Sequence, residues 1–94
     1  MIEVKATSDR DPLAFEVVVR DGSSETRHRV TIGKATCERL TAGLHTPERC
    51  IEAAFRFLLD REPKESILER FDVMIIAQYF PEFERELPSY FAQS

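Results

Sequence analysis

With 43% hydrophobic and 32% charged side chains, the 94-residue chain has the balance of a single folded domain rather than a disordered segment. Its longest apolar run, Val73 to Ala77, falls far short of the roughly 20 residues of a membrane-spanning helix, so no membrane partner is expected. The net charge of -4 is unevenly spread: charges balance through Thr46, and the acidic excess lies beyond it, which counts against a phosphate backbone as partner.

The opening MIEVKATSDRDP carries acidic residues and lacks the apolar stretch of a secretory signal, so a cytoplasmic location is expected. Ile2, Val4 and Ala6 alternate with polar residues, the period of a short strand. From Leu13 the alternation is firmer, with Leu13, Phe15, Val17 and Val19 on one face. Asp21-Gly22-Ser23-Ser24 has turn chemistry, and Thr26 to Ile32 resumes with His28, Val30 and Ile32 inward. Matching the apolar faces and opposing the charges pairs Arg20 with Glu25, Glu16 with Arg29 and Phe15 with Val30. The polar face then carries Arg20, Arg27 and Arg29.

A short helix is expected over Lys34 to Ala42, with Ala35 and Leu40 inward and Gly43 as its stop. Thr46-Pro47 reads as an N-cap followed by proline at the first helical position. Ile51, Ala54, Phe55, Leu58 and Leu59, widened by Cys50 and Phe57, form the inward stripe of that helix, and Glu52 and Arg56 can pair outside. Pro63 limits it. A charged connection, Asp60 to Ser66, leads to a short helix through Arg70 with Ile67, Leu68 and Phe71 as its buried side. Asp72 is expected to cap a central apolar helix, Val73 to Phe80, and Pro88 to end a last turn and leave a tail over 88–94.

These elements describe an α+β domain, 1–94: an N-terminal antiparallel β-hairpin or three-stranded meander over 1–33, then four or five short helices over 34–87. FRFLLDREPKESIL, together with the spacing of Phe71, Ile76 and Tyr79-Phe80-Pro81-Glu82-Phe83, resembles a family of small bacterial proteins of unknown function. The resemblance spans about residues 13–86. It implies a stand-alone cytoplasmic bacterial domain and carries no activity, cofactor or catalytic residue with it.

The residues show no reaction signature, and a non-enzymatic domain is expected, without metal, cofactor or small-molecule ligand. Cys37, His45 and Cys50 lack the close ligand pair of a structural zinc site, and both cysteines are expected as buried reduced thiols. His28 on an inward strand face and His45 before a helix cap read as structural. ESILERF, a break at Asp72, and VMIIAQYF have helix-turn-helix lengths, yet a recognition helix opening with Val73, Met74, Ile75 and Ile76 offers nothing to base edges.

Three places remain for binding. Arg20, Arg27 and Arg29 can hold an acidic partner or simply pair with Glu16 and Glu25. Arg61, Glu62 and Lys64 lie in a connection that is either a binding loop or an ordinary polar turn. Tyr90 and Phe91, if exposed, would make an aromatic contact patch. The expectation is a protein–protein interaction or adaptor module, with self-association through an open strand edge as one form of it; the alternative is a nucleic-acid-associated regulator using the basic hairpin face.

Overall fold

A computed structural model describes residues 1–92. Strands β1 (Ile2–Ser8), β2 (Leu13–Asp21) and β3 (Ser24–Ile32) form an antiparallel meander, followed by α1 (Lys34–Thr41) and α2 (Pro47–Leu59). A 3-10 turn (Lys64–Ser66), strand β4 (Arg70–Asp72) and helices α3 (Met74–Tyr79) and α4 (Phe83–Phe91) complete the described chain. The sheet order is β1-β2-β3-β4, with β4 parallel to β3.

Hairpin β2–β3 has the register expected from its charges and apolar faces, with Arg20 opposite Glu25, Glu16 opposite Arg29 and Phe15 opposite Val30. Gly22 takes a positive φ of 63° at the first central position of the turn, which costs a glycine nothing and matches the twist of the strands it joins.

The helices cover one face of the sheet. Phe15, Val17, Val19, Val30 and Ile32 from that face enclose a core with Ile51, Ala54, Phe55 and Leu58 of α2. Helix α2 starts as expected: the Thr46 hydroxyl accepts from the Arg49 amide at 3.1 Å, with Pro47 next. On its outer side Arg56 pairs with Glu52 at 2.8 Å, which holds the Glu52 carboxyl below its usual range.

Several expectations are corrected. In α1 the buried side chains are Cys37 and Thr41, while Ala35 is exposed. The N-terminus of α1 is capped from a distance, by Asp11 of the β1–β2 loop accepting from the Lys34 amide at 3.1 Å. The segment before Phe71 is no helix: after the 3-10 turn it becomes β4, because Arg29 and Val73 donate to Glu69 and Thr31 and dock it along β3. Leu68, placed on a buried side by a helical reading, is therefore 48% exposed.

Asp72 does cap α3, accepting from the Met74 amide at 3.0 Å while also receiving the Thr31 hydroxyl at 2.8 Å. Yet α3 is peripheral rather than central. Val73 and Ile76 are buried, Tyr79 is 68% exposed, and the central helix is α2. Pro88 does not end the last helix; α4 runs through it to Phe91, so no tail begins at 88. Tyr90 and Phe91 are buried, which removes the expected aromatic patch there. Gln93 and Ser94, the remainder of that expected tail, lie outside the described residues.

Candidate functional site

The end of α2, the segment leading into β4 and helix α3 meet around an apolar groove of about 210 Å³. Leu58, Leu68, Ile75, Tyr79 and Phe80 supply its walls, and Glu62 is the charged side chain among its lining. Its formation follows from the backbone of residues 67–72. His28, buried on the inner face of β3, donates from Nδ1 to the Leu68 carbonyl at 2.7 Å; a carbonyl only accepts, so the proton must sit on Nδ1. Its Nε2 meets the Thr26 hydroxyl at 2.8 Å, and its ring lies 5.4 Å from that of Phe55. The histidine thus pins the Leu68 backbone to the sheet and leaves the side chain facing out.

The Glu62 amide donates to the Leu58 carbonyl at 2.9 Å, but its carboxylate makes no hydrogen bond or ion pair among the described residues, and burial pushes that carboxyl above the usual glutamate range. A partly desolvated carboxylate without a cation costs stability, an arrangement more common at functional sites than elsewhere. Apolar cavities of about 150 Å³ can hold a benzene ring. The groove therefore has room for one aromatic or branched side chain from a partner.

The other charged residues singled out in the sequence have different surroundings. Arg61 follows α2 and closes it onto α4: it bonds Glu82 at 3.0 Å, Glu86 at 2.7 Å and the Phe57 carbonyl at 3.2 Å, with its guanidinium carbon 3.6 Å over the Phe57 ring. Burial works against its charge, but bonds to Tyr90, Glu82 and Glu86 outweigh that and raise its pKa above the ordinary arginine value. Lys64 is buried along its stem, with Nζ on Glu65 at 2.7 Å. The structure thus places Glu62 at the groove, and Arg61 and Lys64 in local packing.

On the outer sheet face, Arg20 pairs with Glu3 and Glu25, and Arg27 with Glu25 and Glu16. This chain of five charges surrounds Val18, whose strand neighbours are Glu3 and Arg27, and explains why an outward valine is only 6% exposed. Arg29 stands apart beside Arg70 of β4, with no carboxylate partner among the described residues.

Reading Leu68 as buried and Val73 to Phe80 as the central helix hid the groove. The available signal was Leu68 itself, since an apolar residue beside Ile67 cannot share its inward direction once the segment is extended. Among the described residues no group of three or more His, Cys, Asp or Glu side chains could hold a metal ion, and no helix is long and apolar enough to cross a membrane. No protein-family model, curated protein or solved structure matches the chain.

Proposed function

We propose that this chain is a non-enzymatic protein-interaction module whose groove between α2 and α3 receives an apolar side chain of a partner next to a lysine or arginine. The observation carrying this reading is the coincidence of exposed Leu68 and Tyr79 with the unpartnered Glu62 carboxylate around one apolar groove. Apolar surface supplies affinity and a partly desolvated charge supplies selection, since an acidic or neutral partner would leave Glu62 unpaired. Among the described residues no cation lies at bonding distance from the Glu62 carboxylate, and the neighbouring Arg61 is occupied by Glu82 and Glu86.

The test uses acetyl-Phe-Lys-amide as probe, with acetyl-Phe-Glu-amide as its charge-reversed comparator, titrated into the full chain labelled with 15N. One buried aromatic side chain and one charge-assisted bond support a roughly millimolar dissociation constant. Saturable shifts at Leu68, Ile75 and Tyr79, weaker with the glutamate peptide and with Glu62→Gln, are expected. Equal response to both peptides, or shifts away from the groove, refutes the reading.

A second reading, a nucleic-acid regulator, draws on the adjacent Arg29 and Arg70. It requires RNA or DNA binding that falls steeply with salt. The acidic residues interleaved on the same face, Glu3, Glu16, Glu25 and Asp72, weigh against it.

A further inference from the structure

Strand β1 lies at the edge of the sheet opposite β4, so one side of its backbone faces away from every other strand. Which groups those are follows from one pair of bonds. Met1 and Arg20 exchange both backbone hydrogen bonds, each at 2.8 Å, which makes them a closely bonded pair of the β1–β2 ladder. Bonded and non-bonded pairs alternate along antiparallel strands. Glu3 opposite Val18 and Lys5 opposite Glu16 therefore bond to β2, whereas Ile2, Val4 and Ala6 turn their N–H and C=O groups outward.

We propose that this edge pairs with the same edge of a second copy, antiparallel about a twofold axis through Val4. In the regular part of β1 a twofold can sit at any residue from Ile2 to Ala6; at Ile2 it joins only one pair of outward residues, and at Ala6 it runs through the irregularity between Ala6 and Ser8, which leaves Glu3, Val4 and Lys5. A twofold at Glu3 sets two glutamates against each other, and one at Lys5 sets two lysines against each other; both are repulsive. Centred on Val4, the register places Glu3 opposite Lys5 of the second copy and Lys5 opposite its Glu3. The same register joins outward backbone groups to outward groups, Val4 to Val4 and Ile2 to Ala6 in both directions, for about six hydrogen bonds.

Every residue-centred twofold keeps outward groups opposite outward groups, so the length of regular strand and the charges select the Val4 register. Lys5 forms no ion pair within its own chain among the described residues, although Glu16 stands opposite it, so its charge is available. On the inner face Ile2 and Val4 are only half-buried, and in the pair Val4 would meet its counterpart. A lysine in an edge strand deters strands that lack an acidic residue at the facing position, and here the strand itself carries one. The product is a continuous eight-stranded sheet, double the four strands of one chain, that leaves both grooves free at its far ends. It does not depend on what the grooves bind.

Sedimentation of the full chain from about 10 µM to about 1 mM should show a reversible monomer–dimer equilibrium, as expected of a small interface. Val4→Pro removes an outward N–H and no bond to β2, a substitution edge strands tolerate, and should leave a monomer with an unaltered helical spectrum. Lys5→Glu should weaken the dimer at least about fivefold at low salt and less at high salt. Should Val4→Pro not fold, amide exchange decides: protection of Ile2, Val4 and Ala6 must rise with concentration in the unaltered chain. A monomer throughout the range, or a dimer whose Ile2, Val4 and Ala6 amides exchange as fast as in the monomer, overturns the proposal.

Discussion

Replacing His28 by leucine removes the side chain that fastens the groove segment to the sheet. The imidazole makes two hydrogen bonds, 2.7 Å to the Leu68 carbonyl and 2.8 Å to the Thr26 hydroxyl, from a position only 2% exposed. Each bond contributes about 1 kcal/mol net, and leaving the carbonyl without its donor costs about 1–3 kcal/mol more. The added apolar surface of leucine offsets about 1 kcal/mol of this, for a loss of roughly 2–4 kcal/mol. For a domain of this size that lowers Tm by roughly 10–30 °C, readable by circular dichroism. Thr26→Val, which removes one bond, should cost about 1 kcal/mol. Local exchange gives a second readout: the Arg29 amide, bonded at 2.7 Å to Glu69, should lose protection beyond the global change, because the strand pairing it belongs to begins next to Leu68. A Tm loss under about 5 °C with Arg29 protection intact would show that the segment is held without the histidine, and the account of the groove wall would be wrong.

Three further outcomes are expected. Arg61→Ala should destabilise by roughly 2–3 kcal/mol in urea titrations, through the Phe57 carbonyl and ring contacts and the charge pairs to α4, and Arg61→Lys should recover less than half because an ammonium cannot fork between partners. Glu62 has a folded pKa above its unfolded one, near 4.3, so the native state holds its proton more tightly and stability falls as pH rises through that window; Glu62→Gln should match the unaltered protein in Tm at about pH 4 and exceed it at about pH 7, and equal Tm values at both would refute the desolvation argument. Burial pushes the Cys50 thiol up to about 12, so alkylation at pH 8 should wait for unfolding, and rapid labelling of Cys50 in the native protein would contradict its burial.

The groove and the clamp around Arg61 mark where local reading stops. Hairpin register, the start of α2 and the Glu52–Arg56 pair are decided within a few residues or across one tight turn, and their chemistry is visible in order along the chain. Strand β4 is three residues long, too short for any periodicity, and exists because β3 offers unpaired backbone groups at Arg29 and Thr31. Pro88 sits inside a helix because Phe83, Leu87, Tyr90 and Phe91 are buried along it, and packing outweighs a lost N–H. Arg61 and Glu62 show the same limit at the site. They are adjacent, of opposite charge and equally polar in the sequence, yet Arg61 is held by carboxylates of Glu82 and Glu86 while the Glu62 carboxylate has no partner among the described residues and lines an apolar groove.

By itself the sequence determined which face of each long element is apolar, where α2 begins, how β2 and β3 align, and that the chain is an α+β domain, because these depend on side-chain period, capping and nearest-neighbour charge. Only the tertiary structure decided that Leu68 and Tyr79 face outward, that Asp11 caps α1, and that the Glu62 carboxylate lacks a cation among the described residues, because each depends on how distant stretches of the chain are brought together.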